Sequence, residues 1–127
     1  MIFMNTILII MVMIFLHIVA DYNLQGWLAS AKQKSYWKEH APNELYKNDY
    51  IMALFMHSFQ WTFMIMLPIL FLLNFEIGAD FILWFVFNVG LHMYVDHLKA
   101  NMKIINLVED QLLHILQIVI TAGIFIL

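Results

Sequence analysis

Four long apolar stretches, each carrying a few polar residues toward one end, organise this chain. They cover about residues 2–20, 50–73, 77–95 and 105–127. Each approaches or exceeds the roughly 20 helical residues that cross about 30 Å of hydrocarbon. None shows the alternation of a barrel strand, so the pattern predicts helices throughout. The only long polar segment is the loop 21–49. Within it Leu24, Trp27, Leu28 and Ala31 recur at helical spacing, and Tyr36 and Trp37 follow. That spacing predicts a short amphipathic helix at the membrane interface, ended by Pro42 and Asn43. The expected fold class is all-α integral membrane: a four-helix transmembrane bundle with one interfacial helix after the first span, as a single domain over 1–127. Pro68 is expected to kink the far end of the second span.

Composition agrees with lipid as the solvent. Of 127 residues, 64% are hydrophobic and only 12% charged, against about 25% charged in a soluble domain. So short a chain cannot bury that much apolar surface in its own core. No cysteine is present, which excludes disulfides, thiolate metal sites and cysteine nucleophiles. The first span lacks the basic n-region of a cleaved signal peptide: no cation precedes Lys32, and Asp21 follows the span directly. It therefore reads as a retained helix.

All six cations are lysines, and their positions fix an expected orientation. Lys32, Lys34, Lys38 and Lys47 lie in the first loop, Lys99 and Lys103 in the third. With four spans those loops share one side, and the other side has none. The positive-inside rule makes the loops cytoplasmic and both termini extracytoplasmic, in a cell (plasma) membrane.

Ionisable groups inside spans are costly and are functional candidates by default. Here they recur in a pattern. The first span carries His17 and Asp21, the third His92 and Asp96, and the fourth Asp110 and His114. Spacing of i,i+4 puts each pair on one helix face, about 6 Å apart along the axis. The reversed order in the fourth span is what an antiparallel helix needs to meet the others at one depth. His57 of the second span joins them at a comparable level. Imidazole and carboxylate suit zinc, iron or manganese, and helical bundles hold such centres from facing helices. The expected metal ligands are His17, Asp21, His57, His92, Asp96, Asp110 and His114, enough for one or two ions. His40 and His97 fall outside the set. Pairing of the same groups as polar glue between helices is the plainer alternative. The first two spans also resemble the last two: His17 and Asp21 match His92 and Asp96, and His57-x2-Gln60 matches His114-x2-Gln117. This is the pattern of parallel repeats with a site at their interface.

On these residues the chain resembles a family of small multi-pass bacterial and phage membrane proteins classed as a domain of unknown function. The shared motifs read here as His17, Asp21, Leu24 and Gln25; His57; His92, Asp96 and Lys99; and Asp110, Gln111 and His114. The resemblance implies a multi-pass membrane protein and no particular activity. A looser similarity is to membrane-bound metal-dependent hydrolases.

Three functions fit the pattern. The first is metal-assisted hydrolysis of a lipid or phosphate-bearing substrate near the cytoplasmic headgroups. The ion would activate water, Asp110 would act as general base, and Lys99 would hold a phosphate oxygen. The second is a proton, metal or ion pathway, and the third a non-catalytic membrane protein with a structural polar core. Membrane lipids are expected partners, a homo-oligomer is left open, and no nucleic-acid partner is expected.

Overall fold

The computed structural model describes the backbone of residues 2–127 and the side chains of residues 5–127, so Met1 lies outside the description. Among the described residues there are six α-helices and no strand. They are α1 (Ile2–Ile18), α2 (Leu28–Ala31), α3 (Lys34–His40), α4 (Asp49–Leu72), α5 (Ala79–His97) and α6 (Leu107–Ile126). Four helical segments are long and apolar enough to cross a membrane: Asn5–Asn23, Glu44–Leu72, Ala79–Met102 and Leu107–Ile126. In the first, only 22% of the residues of its apolar window are buried against the rest of the chain. Large side chains such as Met11, Phe15, Met52, Leu83 and Leu116 consequently face outward. A surface this apolar is consistent with a membrane protein.

The four long helices pack in a ring: α4 against α1 and α5, and α6 against α5 and α1. The half remote from the lysines is filled by Met13, Ile65, Met66, Ile69, Leu70, Phe81, Ile118 and Ala122. A buried polar knot adjoins that core. Gln117 donates to Asn88 Oδ1 at 2.8 Å, and the Asn88 amide donates to Thr121 Oγ1 at 3.1 Å. Such interhelical bonds contribute on average about 0.6 kcal/mol each in a membrane protein.

Two features of the connections position the site. Both α1 and α5 end in a π-helical turn, Val19–Asn23 and Leu98–Met102, immediately after the paired histidine and aspartate or within that pair. At the start of α6, Asn106 accepts from the Glu109 amide and Glu109 accepts from the Asn106 amide. This capping box sets the first turn of α6, and with it Asp110.

The segment between the first two long helices holds two short α-helices where the sequence pattern suggested one. Gln33 takes an extended conformation between α2 and α3 (φ −96°, ψ 128°). Lys32, the last residue before the break, turns inward and reaches Asp96. Trp37 donates its indole N–H to the Ala31 carbonyl at 2.7 Å, covering the end of α2. Asn101 then stitches the segment to the turn after α5, accepting from the Lys34 amide and donating to the Lys32 carbonyl. The chain enters this segment through Gly26 at φ +53°, a left-handed conformation that glycine adopts without strain. As the pattern suggested, α3 stops at His40, two residues before Pro42, and Ala41 leaves the helical region (φ −147°, ψ 70°), the α conformation being disfavoured before proline. Pro68 does not end α4, which continues to Leu72.

Candidate metal centre

All seven expected ligands converge on one region between the four long helices. His57, His92, Asp110 and His114 are fully buried, and His17 and Asp96 nearly so. Asp21 is the most accessible of the set, its side chain 8% exposed. His40 and His97 lie elsewhere: His40 bonds the Tyr36 carbonyl, and His97 stacks on Tyr50.

Two groups within the cluster have the spacing of an ion's ligands, Asp21 with His57 and His92, and His92 with Asp96 and His114. In the first, Asp21 Oδ1 lies 3.3 Å from His57 Nε2 and 3.9 Å from His92 Nε2. The two Nε2 atoms are 3.2 Å apart. Ligand atoms about 2.0–2.1 Å from a tetrahedral ion sit about 3.3 Å from one another, so a small divalent cation fits with little rearrangement. Asp96 adjoins this group, with Oδ2 at 3.5 Å from His57 Nε2 and Oδ1 at 3.7 Å from His92 Nε2.

The charges favour a cation at the same place. Lys32 donates to Asp96 Oδ2 and Lys99 to Asp110 Oδ2, each at 2.6 Å. Asp21 has no such lysine among the described residues. Its Oδ1 is buried without a hydrogen-bond partner and faces the two imidazoles. A buried carboxylate oxygen left without a partner is costly, and a bound cation relieves it.

His17 has a different place from the one its spacing suggested. The Trp61 indole can only donate, and it gives its N–H to His17 Nδ1 at 2.7 Å. The ring proton therefore sits on Nε2, which donates to Gln111 Oε1 at 3.0 Å. The Gln111 amide in turn donates to Asp110 Oδ2 at 3.0 Å and approaches Asp21 Oδ2 at 3.4 Å. Both nitrogens of His17 are thus committed to protein partners, and the residue belongs to neither ligand group. His57, His92 and His114 contrast with it. Their Nδ1 atoms have no protein partner, and each turns Nε2 toward a carboxylate of the cluster. Asp110 is likewise outside both groups, anchored through Oδ2, with Oδ1 3.4 Å from His114 Nε2.

The sequence repeat pairs His17 and Asp21 with His92 and Asp96, and His57 with His114, and some of their distances correspond. Asp21 Oδ1 to His57 Nε2 is 3.3 Å, and Asp96 Oδ1 to His114 Nε2 is also 3.3 Å. The other pair differs in its atoms: His17 approaches Asp21 Oδ2 through Nδ1 at 3.6 Å, whereas His92 approaches Asp96 Oδ1 through Nε2 at 3.7 Å. The ring planes of His57 and His92 meet at 57°, and those of His114 and His17 at 58°. The halves differ where Trp61 stands opposite Ile118. Trp61 stacks on His92 with centroids 4.1 Å apart and ties up His17. One imidazole of the symmetric pair is therefore free and the other engaged.

No family model matches the chain, and no curated protein or solved structure does either. The site's own chemistry must carry the interpretation.

Three participants were not on the expected list of ligands. Lys32 read as an orientation cation in a loop, yet it is buried against Asp96. Its signal was its position, four residues after Leu28 and next to Ala31, on the apolar face of a short helix. Trp61 lies one turn beyond His57 and so shares its face. Gln111 stands one residue off the stripe of α6, where periodicity alone gives no reason to choose it.

Proposed function

We propose that the protein is a membrane-embedded metal-dependent hydrolase that acts on a phosphate-bearing lipid at the cytoplasmic headgroup level. Its four long helices form a transmembrane bundle, with the lysine-rich loops inside and both termini outside. The observation that carries the reading is Asp21 Oδ1, buried without a partner and facing two imidazole Nε2 atoms at ligand spacing. Zinc, iron or manganese suits this mixture of nitrogen and oxygen donors. A divalent ion there supplies a Lewis acid and lowers the pKa of water toward about 7.

The chain's own residues fit supporting roles. Asp21, His57 and His92 would hold the ion, with Asp96 and His114 beside them. Asp110 has one oxygen fixed by Lys99 and Gln111 while the other is free of hydrogen bonds, an arrangement that suits a general base. Lys99 then orients Asp110 in place of holding substrate. Access is from the lysine-bearing end, where Asp21, Gln111 and Lys99 are the least buried members of the cluster. The opposite end is closed by the polar knot and by packed apolar side chains. That asymmetry supports a pocket reached from one side over a continuous ion path.

Three experiments test this reading. A cysteine at Asn43 should resist membrane-impermeant reagents in intact cells, whereas one at the C-terminus should react; equal labelling would overturn the orientation. Purified protein supplied with divalent metals should turn over lipid phosphates, and Asp110→Asn should cut turnover about 100-fold or more while retaining the ion. Ion flux in proteoliposomes that His57→Ala abolishes, with no hydrolysis, would replace the proposal with transport.

A further inference from the structure

Outside the metal cluster, half of the chain's lysines line a single cavity. It has a volume of about 350 Å³ and lies between α3 and the start of α4. Lys34, Lys38 and Lys47 contribute to the wall, with Trp37, Asn43 and Tyr50. Glu44 is the one acidic side chain in the lining, and it pairs with Lys47 at 3.3 Å, both groups well exposed. The lining is therefore positive in a protein whose net charge is −3. Lys34 is held with its ammonium 4.9 Å from the centre of the Tyr50 ring, which fixes one cation without neutralising it.

The surroundings indicate where the occupant comes from. Leu45 is 75% exposed and Trp27 59%, both on the segment that carries the cavity. Trp27, Tyr36 and Trp37 form an edge-to-face cluster, with Trp27 donating to the Tyr36 hydroxyl. Exposed apolar side chains, amphipathic aromatics and lysines on one short segment are the composition of a bilayer interface. An anion reaching this cavity from the bilayer is a lipid phosphate.

We propose that the cavity is a binding site for the headgroup phosphate of an anionic phospholipid, with Lys34, Lys38 and Lys47 as its cationic wall and Trp37 and Tyr50 bordering the glycerol region. The site is separate from the metal cluster and does not depend on the hydrolase reading. It has a structural connection to that cluster nonetheless. Lys34 shares its strap with Lys32, whose side chain points the other way, into Asp96. Asn101 holds the backbone of both residues. A lipid seated on α3 would thus steady the segment that closes over the metal cluster.

Native mass spectrometry of the full chain, released from mixed micelles with phosphatidylglycerol and phosphatidylcholine in equal amounts, tests this. Phosphatidylglycerol should be retained about 10-fold over phosphatidylcholine, since each lysine near the headgroups adds attraction for anionic lipid. The variant Lys34→Gln/Lys38→Gln/Lys47→Gln should lose that preference, and Lys38→Gln alone should reduce it. Lys103→Gln, which removes a lysine outside the cavity lining, should keep it. Equal retention of the two lipids by the native chain would overturn the proposal. So would a loss in Lys103→Gln as large as in the triple variant, which would mean diffuse surface charge. Inorganic phosphate that displaces the lipid at equal concentration would overturn the lipid as occupant. Circular dichroism on each variant verifies its helix content, and if the triple variant unfolds, Lys38→Gln against Lys103→Gln decides the question.

Discussion

His92→Ala should leave the purified protein essentially without bound transition metal, lowering affinity by at least about 100-fold relative to the native chain. His92 is the one side chain common to both ligand groups, so its loss dismantles either. His17→Ala should weaken binding by only about 10-fold, because His17 acts through Gln111 on the carboxylates and not on the ion. His40→Ala should leave metal content unchanged, since His40 lies on α3 outside the cluster. Metal analysis by mass spectrometry after gel filtration measures all three. A native chain that remains folded without metal, and takes up none when it is supplied, would leave the cluster as polar glue between helices.

The second large effect is expected at Lys32. Its ammonium and the Asp96 carboxylate are buried to within a few per cent and lie 2.6 Å apart. Removing one partner of such a pair leaves a buried charge unmatched, at a cost of about 3–5 kcal/mol. Lys32→Met, which keeps most of the side chain's volume, should lower the free energy of unfolding in detergent by an amount of that order. Saturating divalent metal should recover part of the loss, because an ion bound beside Asp96 supplies the missing positive charge. Lys47→Met is the control: its pair with Glu44 is exposed, and surface pairs contribute about 0–1 kcal/mol. A Lys32→Met protein as stable as the native chain without metal would mean that Asp96 finds another partner.

Much of this arrangement is legible in the sequence. The four apolar stretches became α1, α4, α5 and α6 with ends shifted by a few residues, because a run of that length in lipid has only the helix open to it. The i,i+4 pairing of His17 with Asp21, His92 with Asp96 and Asp110 with His114 was equally readable, since helix geometry alone puts such pairs on one face. What periodicity could not show was which atoms each side chain would meet across the bundle. His17 looks equivalent to His92 in sequence. Only the indole of Trp61, brought in from α4, removes it from the ligand groups. Lys32 was hidden for a related reason: charge on a loop ordinarily means solvent, and only the packing of α2 against α4 brings this one inside. Lys99 was read from its spacing as a contact for substrate phosphate, but in the fold its ammonium pairs with Asp110.

The distribution of counter-charges has a wider meaning. Lys32 and Lys99 each hold one carboxylate at 2.6 Å, Asp96 and Asp110 respectively. Asp21 has no such lysine among the described residues, and its Oδ1 faces His57 and His92. Three carboxylates in one buried cluster are thereby made unequal, two spoken for and one open. A cation arriving there meets one carboxylate not already matched by a positive charge, so an excess of donor side chains need not mean an excess of ions.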